Sequence, residues 1–428
     1  MTQSSPVSAT GEGARRKLKI LHVGDARSIH AARFIALLQE LGHSARLFHP
    51  SGEFFEDQTL SDAEIYVAYF NEFYTGRNRL FVTSPVPFEV DPKSAAQGPL
   101  RWLARRANEK RHRVYDLMRV LRSFEPDIVI STKMQDEGYL VSEAKALMGP
   151  AFKVPWIHFV WGTDIEFFAK DEAYKITHLM RVRRVLRSCD YLFSDTVRDV
   201  AQARDFGFRG EHLGVFPAHG GFDTNWLADL RASVNEPRNL ILVKGREGSH
   251  VGRAMNILLA LDRLVDRLAG YKIVVLLATP NVKPVVAALA RVHSVPFEFV
   301  EYVPYDDLMR LYARSRLAIS ATTVDGTPSF LTEAMAMGAL PVHSDMESIR
   351  EWIEPGVNGL LFPIDDLASL ERAIIRGLED DDLCRQAAQR NEELVQTRMD
   401  RAQVGRAIDE KLQRIAGGRG IDGGRAAP

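Results

Sequence analysis

The chain has 428 residues, 46% of them hydrophobic, which is more than one domain usually holds and enough for two cores of ordinary size. Lysine plus arginine (55) nearly cancels aspartate plus glutamate (56), so no global field draws nucleic acid or an anionic bilayer. The only cysteines, Cys189 and Cys384, have no metal-like spacing; they exclude a disulfide scaffold and fit a reducing compartment. Residues 1–17 lack the apolar centre of a secretion signal, and no later segment offers about 18 uninterrupted apolar residues. A soluble, cytoplasmic protein is the expectation.

From Leu18 the chain reads as strand, turn and helix: LKILHVG ends in glycine, and Phe34, Leu37, Leu38 and Leu41 then recur at helical spacing before Gly42. Further apolar runs at SARLF, DIVIST, VPWIHFVWG and DYLFSD alternate with helical stretches, as in a parallel sheet covered on both faces. After the polar stretch RASVNEPRN the same alternation restarts with NLILVKG, KIVVLLA, FEFVEYV, RLAISAT and ALPVHS. The last helical stretch has an interruption around Thr397 to Asp400, and GGRGIDGGRAAP beyond it is glycine-rich. The fold class is thus α/β, with two facing doubly wound, Rossmann-like domains. The boundaries are a disordered tail at 1–17, a first domain at 18–225, a linker at 226–238, a second domain at 239–398, a helix at 399–416 packing back on the first domain, and a second disordered tail at 417–428.

Ligands of open α/β sheets bind beyond the carboxyl ends of the strands, so the cleft between two such domains is the expected site. Gly24, the Trp161-Gly162-Thr163-Asp164 run, Lys244-Gly245-Arg246 and Asp325 all follow strands there. In DGTPSFLTEAMAMG, with Thr327 as cap and Pro328 in the first turn, the amides of Ser329 and Phe330 are orphan donors at the positive end of a helix, where a phosphate can sit. Glu333 lies one turn further on the same side, so its two oxygens can accept both hydroxyls of a ribose. A plain turn followed by a solvated acid fits these residues equally well.

The run DGTPSFLTEAMAMGALPVHSDMESIREWIEPGVNGLLFPIDDLASLERAI decides between these readings, because it resembles the donor-binding signature of glycosyltransferase family 4, retaining enzymes of the GT-B fold. By that resemblance Glu333 holds the ribose, Gly326 and the amides near Ser329 and Phe330 the diphosphate, and Asp325, one methylene shorter than the family's usual Glu, the donor sugar. Upstream, ILVKGREGSHVGRAMNILLAL is similar to the family's diphosphate-neutralising segment, with Gly245 and Arg246 in register, but Val251 stands at the lysine position, leaving Arg253 or His250 to replace it. The first-domain counterparts are Gly24, which lets backbone approach the sugar, and Asp25, either an acceptor contact or a helix cap. Trp161 replaces a common histidine and offers a wall rather than acid-base chemistry; Asp164 is either a hydroxyl contact or a cap. His30 and His158 read as structural, Gly221 and Asp223 as marking the hinge. Tyr302 is either a base contact or a packed tyrosine.

The implied activity is retaining transfer of a sugar from a nucleoside diphosphate sugar to an acceptor hydroxyl, with Asp325, Glu333 and Arg246 at the reacting centre. No cofactor and no metal are expected, since no Asp-x-Asp motif stands at a strand end. The partners are a nucleotide sugar and a hydroxyl acceptor, not nucleic acid. The basic stretch 101–122 (Arg101, Arg105, Arg106, Lys110, Arg111, Arg113, Arg119 and Arg122) is either a contact for an anionic acceptor or the inner membrane face, or a solvated helix face. Three other readings remain open: a catalytically silent nucleotide-sugar-binding relative, a nucleotide-sugar epimerase, and a dinucleotide oxidoreductase, the last lacking the second and third glycines of its fingerprint.

Overall fold

Two parallel sheets organise the chain in the computed structural model, which describes residues 15–50, 64–67, 80–82, 113–167, 175–248 and 252–418. In the first, β1 (Lys19–Val23), β2 (Ser44–Phe48), β3 (Glu64–Val67), β4 (Leu80–Val82), β5 (Ile128–Thr132), β6 (Trp156–Val160), β7 (Tyr191–Ser194) and β8 (Glu211–Val215) lie in the order β4-β3-β2-β1-β5-β6-β7-β8. In the second, β9 (Leu240–Lys244), β12 (Lys272–Leu276), β13 (Phe297–Val300), β14 (Ser315–Ser320), β15 (Leu340–Ser344) and β16 (Leu360–Phe362) lie in the order β13-β12-β9-β14-β15-β16. Between β9 and β12 a short antiparallel hairpin intervenes, β10 (Glu247–Gly248) with β11 (Gly252–Arg253). The order reverses between β1 and β5 in one sheet and between β9 and β14 in the other, so each sheet has a topological switch point facing the cleft.

The central strands are buried on both faces, which is why they read as continuous apolar runs. Each second-domain strand splits its residues between two layers. Ile241 and Val243 of β9 pack on one side; Leu240 and Leu242 face the other, against Phe330, Leu331 and Ala334 of the helix Ser329–Ala336.

The chain crosses between domains twice, and the two crossings are tied together. Phe222 N donates to Met399 O at 2.7 Å and Arg401 N to Phe222 O at 2.8 Å. Gly221, at φ 88°, lies where a Cβ would come within 2.6 Å of Met399 O, so a glycine is required there. Asp223 caps the helix Thr224–Ser233, which occupies much of the stretch read from sequence as a linker and buries Leu227 and Leu230 against the second domain. Asp400 ends one helix, Asp381–Met399, and caps the next, Arg401–Gly417. That last helix lays Val404, Ile408 and Leu412 on the core of the first domain.

The basic stretch 101–122 lies outside the described residues up to 112. Over 113–124 it is helical, and its apolar residues Val114, Leu117, Val120 and Leu121 are buried in the first domain's core. They are therefore not free to enter a membrane, and the half-exposed Arg119 pairs with the buried Asp116 at 2.9 Å. No helix among the described residues is long and apolar enough to cross a membrane.

Candidate functional site

The helix Ser329–Ala336 starts without a side-chain cap. Its N-cap is Pro328, not Thr327 as the sequence suggested. Thr327 is drawn away by the first domain: its hydroxyl donates to Asp195 O at 2.8 Å and its N–H to Asp195 Oδ2 at 3.3 Å, while Trp352 Nε1 donates to its oxygen at 3.2 Å. The first-turn amides of Leu331 and Thr332 bond to Pro328 O, whereas those of Ser329 and Phe330 make no hydrogen bond among the described residues. Ser329 Oγ is likewise buried without a partner. Unmet donors converging at a helix's positive end form an anion cradle.

One turn along, Glu333 is 7% exposed. Burial pushes its carboxyl up to about 7, although the charge of Arg33 and a hydrogen bond from Tyr312 pull the other way. Arg33 comes from the helix Ile29–Glu40 of the first domain, and its guanidinium lies 4.2 Å from the ring centroid of Tyr305. Glu333 is thus a buried acid with an arginine from the opposite wall.

Asp325 ends the segment that follows β14. Its Oδ2 accepts from Lys244 Nζ at 3.0 Å and its Oδ1 from Gly326 N at 3.0 Å. Burial alone would raise this carboxyl; the charge and hydrogen bond of Lys244 outweigh it and hold the group below its usual range. His343 of β15 stands close enough to feel both charges, and burial lowers it to about 4, so it is neutral, with Nε2 unpartnered. Thr322 Oγ1 and Ser320 Oγ are buried and unpartnered as well. Buried polar atoms are normally satisfied, so this concentration beyond β14 and β15 marks a place for a polar ligand.

Of the expected cations, Arg246 is exposed and its guanidinium makes no bond among the described residues, leaving it free for a ligand. Arg253 differs from expectation: Nη1 donates to the carbonyls of Gly248 (2.8 Å) and Gly252 (3.0 Å), so it holds the β10–β11 hairpin closed. Val251 and His250 lie outside the described residues. Gly245 is needed for packing, since a Cβ would meet Val275 Cγ1 at 2.5 Å and Ala278 Cα at 2.9 Å. Tyr302 is 74% exposed and unpacked at the rim.

On the first-domain wall, Gly24 leaves room for its own neighbours: a Cβ would lie 2.5 Å from His22 Nε2 and 3.1 Å from Thr132 Oγ1. Asp25 is not the helix cap, because Ser28 takes that place, accepting from Ala31 N. It instead clamps Arg27 with both oxygens, at 3.0 Å each, and faces Lys133 at 3.5 Å. Although burial opposes it, these bonds lower Asp25 to about 2. Asp164 is buried and accepts from Trp161 N at 2.9 Å, and burial raises it to about 7. Trp161 forms a buried wall with Nε1 unpartnered, edge-on to His30 at 5.8 Å. His30 reaches the cleft, where burial and Arg33 lower it to about 4 and the charge of Asp325 acts against them. His158, a buried core histidine, bonds Ser131 Oγ at 2.8 Å.

The two walls meet backbone to backbone. A Cβ on Gly162 would run into Gly326, and one on Gly326 would lie 2.7 Å from Gly162 Cα. Arg198 bridges the seam, donating to Gly162 O at 2.6 Å and Asp325 O at 3.2 Å while paired with the buried Asp199 at 2.9 Å. Glu351 of the second domain accepts from Val197 N (2.9 Å) and Arg198 N (3.0 Å) of the first. Asp195, buried beside Asp199, has its carboxyl pushed well above the usual range by burial and that neighbouring charge.

Residues 232–394 match the family described as glycosyl transferases group 1. The matched segment contains Lys244, Arg246, Asp325, Ser329 and Glu333, the second-domain half of the geometry just described. No curated protein matches the chain in sequence. Among solved structures, sucrose-phosphate synthase from Thermosynechococcus elongatus aligns over 93% of this chain and 99% of its own, with a TM-score of 0.65 at 16% identity. The Anabaena protein HepE in complex with UDP and glucose aligns over 93% and 100%, at 0.66 and 17%. A UDP-forming α,α-trehalose-phosphate synthase from Burkholderia xenovorans aligns over 93% and 99%, at 0.63 and 14%. At these identities the likeness establishes the fold: two facing Rossmann-like domains in the GT-B architecture.

In the sequence Lys244 was placed at a strand end by the cleft without a role, His30 was read as structural, and Arg33, Asp195 and Arg198 were not singled out. Lys244 carried a usable signal, a lysine closing the otherwise apolar strand LILV. The other four are defined by contacts across the cleft, which local pattern does not encode.

Proposed function

We propose that the protein is a retaining glycosyltransferase of the family 4 type, moving a sugar from a nucleoside diphosphate sugar to an acceptor hydroxyl. One observation carries this reading: an uncapped helix start with the Ser329 and Phe330 amides and Ser329 Oγ unmet, one turn from the buried Glu333. In this reading the diphosphate sits on those amides with Arg246 over it, the ribose hydroxyls bond Glu333, and the sugar lies between Asp325 and the wall of Trp161 and His30. Breaking the sugar–phosphate bond places negative charge on the leaving diphosphate, and fixed amide and guanidinium donors stabilise it as it develops. The leaving oxygen takes the acceptor proton on the same face, which retains the anomeric configuration. No Asp-x-Asp motif stands at a strand end, so the reaction is read as metal-independent. The matched family, together with neighbours described as sucrose-phosphate and trehalose-phosphate synthases, supports glycosyl transfer, and HepE in complex with UDP-glucose makes UDP the first nucleotide to try.

The test is a thermal-shift screen of UDP, GDP, ADP, their glucose conjugates and NAD(P), followed by product analysis with the stabilising donor. A ligand that binds only the folded state raises its melting temperature, by an amount that grows with concentration over Kd. Stabilisation by a nucleoside diphosphate with release of that diphosphate from its sugar conjugate supports the reading. Stabilisation by NAD(P) alone, or conversion of the donor to its epimer, contradicts it.

A further inference from the structure

We propose that Lys244, rather than Arg253, is the second cation of the donor site, bridging the sugar-binding acid to the leaving diphosphate. The inference rests on the donor-site reading above and deepens it. Three observations place the ammonium there. First, Lys244 ends β9 at the point where the order of the second sheet reverses, beside β14, with Val243 paired to Ile319 and Lys244 itself to Leu276 of β12. Second, side chains alternate along a strand, so Lys244 shares the face of Leu240 and Leu242. That face is the one covered by Phe330, Leu331 and Ala334, the helix whose amino-terminal amides are unmet. Third, its side chain is only 11% exposed, and Nζ makes a single hydrogen bond among the described residues, to Asp325 Oδ2 at 3.0 Å. An ammonium has three N–H donors. One is given to Asp325, which leaves two for phosphate oxygens.

Among the described residues of the hairpin, Arg253 does not compete for this role. Arg253 is committed to the carbonyls of Gly248 and Gly252, and Gly252 packs so tightly on Arg246 that a Cβ would run into its carbonyl. The neighbouring His343 is neutral and adds no rival charge. A nearly buried lysine held by one acid is pre-oriented for an anion arriving beside it, because its rotamers are already restricted.

The experiment is calorimetric titration of UDP, GDP and ADP, each with its monophosphate, into wild type, Lys244→Met, Lys244→Arg and the double variant Asp325→Asn/Lys244→Met, which leaves no unpaired buried charge if the single variant folds poorly. For the diphosphate that binds wild type most tightly, loss of the charge-assisted bonds should weaken binding about tenfold or more in both Met-containing variants. Affinity for the monophosphate should change by less than about threefold, and Lys244→Arg should recover most of the diphosphate binding. Equal losses for mono- and diphosphate, or undiminished diphosphate binding, overturn the role of Lys244 alone. A wild type that binds none of the three overturns the donor-site reading and this inference with it.

Discussion

Replacing Glu333 with glutamine should strengthen the ligand-free protein and weaken the liganded one. In the free protein the carboxyl is 7% exposed and raised from 4.5 to about 7. At 1.36 kcal/mol per unit, this shift corresponds to about 3 kcal/mol. The group's folded pKa lies above its unfolded value, so its contribution is fully present below about pH 4.5 and is lost as pH rises through about 7. Glutamine escapes that loss. Wild type and Glu333→Gln should therefore melt together near pH 4.5 and diverge above it. At pH 8 the variant should be higher by about 6–12 °C, taking about 2–4 °C per kcal/mol for a domain of this size. Ribose binding requires the ionised form, because a carboxylate accepts both hydroxyls and an amide oxygen with its NH2 cannot. Nucleoside diphosphate affinity of wild type should fall about fivefold between pH 7 and pH 6, and that of Glu333→Gln should be weaker by about 1.5–3 kcal/mol and flat across the range. Differential scanning fluorimetry across pH 4.5–8, with and without UDP, GDP or ADP, reads both effects. Parallel melting curves at every pH, or unaltered nucleotide binding in the variant, would refute the buried-acid argument.

Other consequences follow from the same geometry. Arg246→Ala should leave the melting temperature unchanged, since the side chain is exposed and unbonded, yet weaken diphosphate binding about tenfold by calorimetry. Arg198→Ala strips the partner from Asp199, which is 0% exposed, and removes the bridge to Gly162 and Asp325; a stability loss of about 3–5 kcal/mol in urea titrations is expected, and one below about 1 kcal/mol would show the bridge to be idle. Gly326→Ala places a methyl against the backbone of Gly162 and the carboxyl of Asp195, so the walls must part; small-angle scattering should give a larger radius of gyration for the variant than for wild type.

The strands that reached the structure intact from the sequence include the buried central ones. KILHV, IVIST, WIHFV and LILVK carry their burial in composition, so a run of apolar residues identifies them without knowledge of neighbours. The strand EHLGV was not legible because only Leu213 is buried, and Leu360–Phe362 is too short for a pattern. At the site, spacing along one element was legible: the unmet amides and Glu333 lie on one helix, three to four residues apart. What failed were choices among competing partners. Thr327 and Asp25 both have the chemistry of helix caps, and both are diverted, one by Asp195 of the opposite domain and one by Arg27 two residues away. Arg253 and Lys244 are each plausible cations by order along the chain, and only the hairpin carbonyls and the face of β9 separate them.

A crystal structure of the protein with the nucleoside diphosphate that most raises its melting temperature tests the central claim most directly. The account predicts phosphate oxygens within about 3 Å of the Ser329 and Phe330 amides and of Lys244 Nζ, with both ribose hydroxyls on Glu333. A diphosphate seated away from the Ser329–Ala336 helix start, or a ribose that leaves Glu333 untouched, would contradict it.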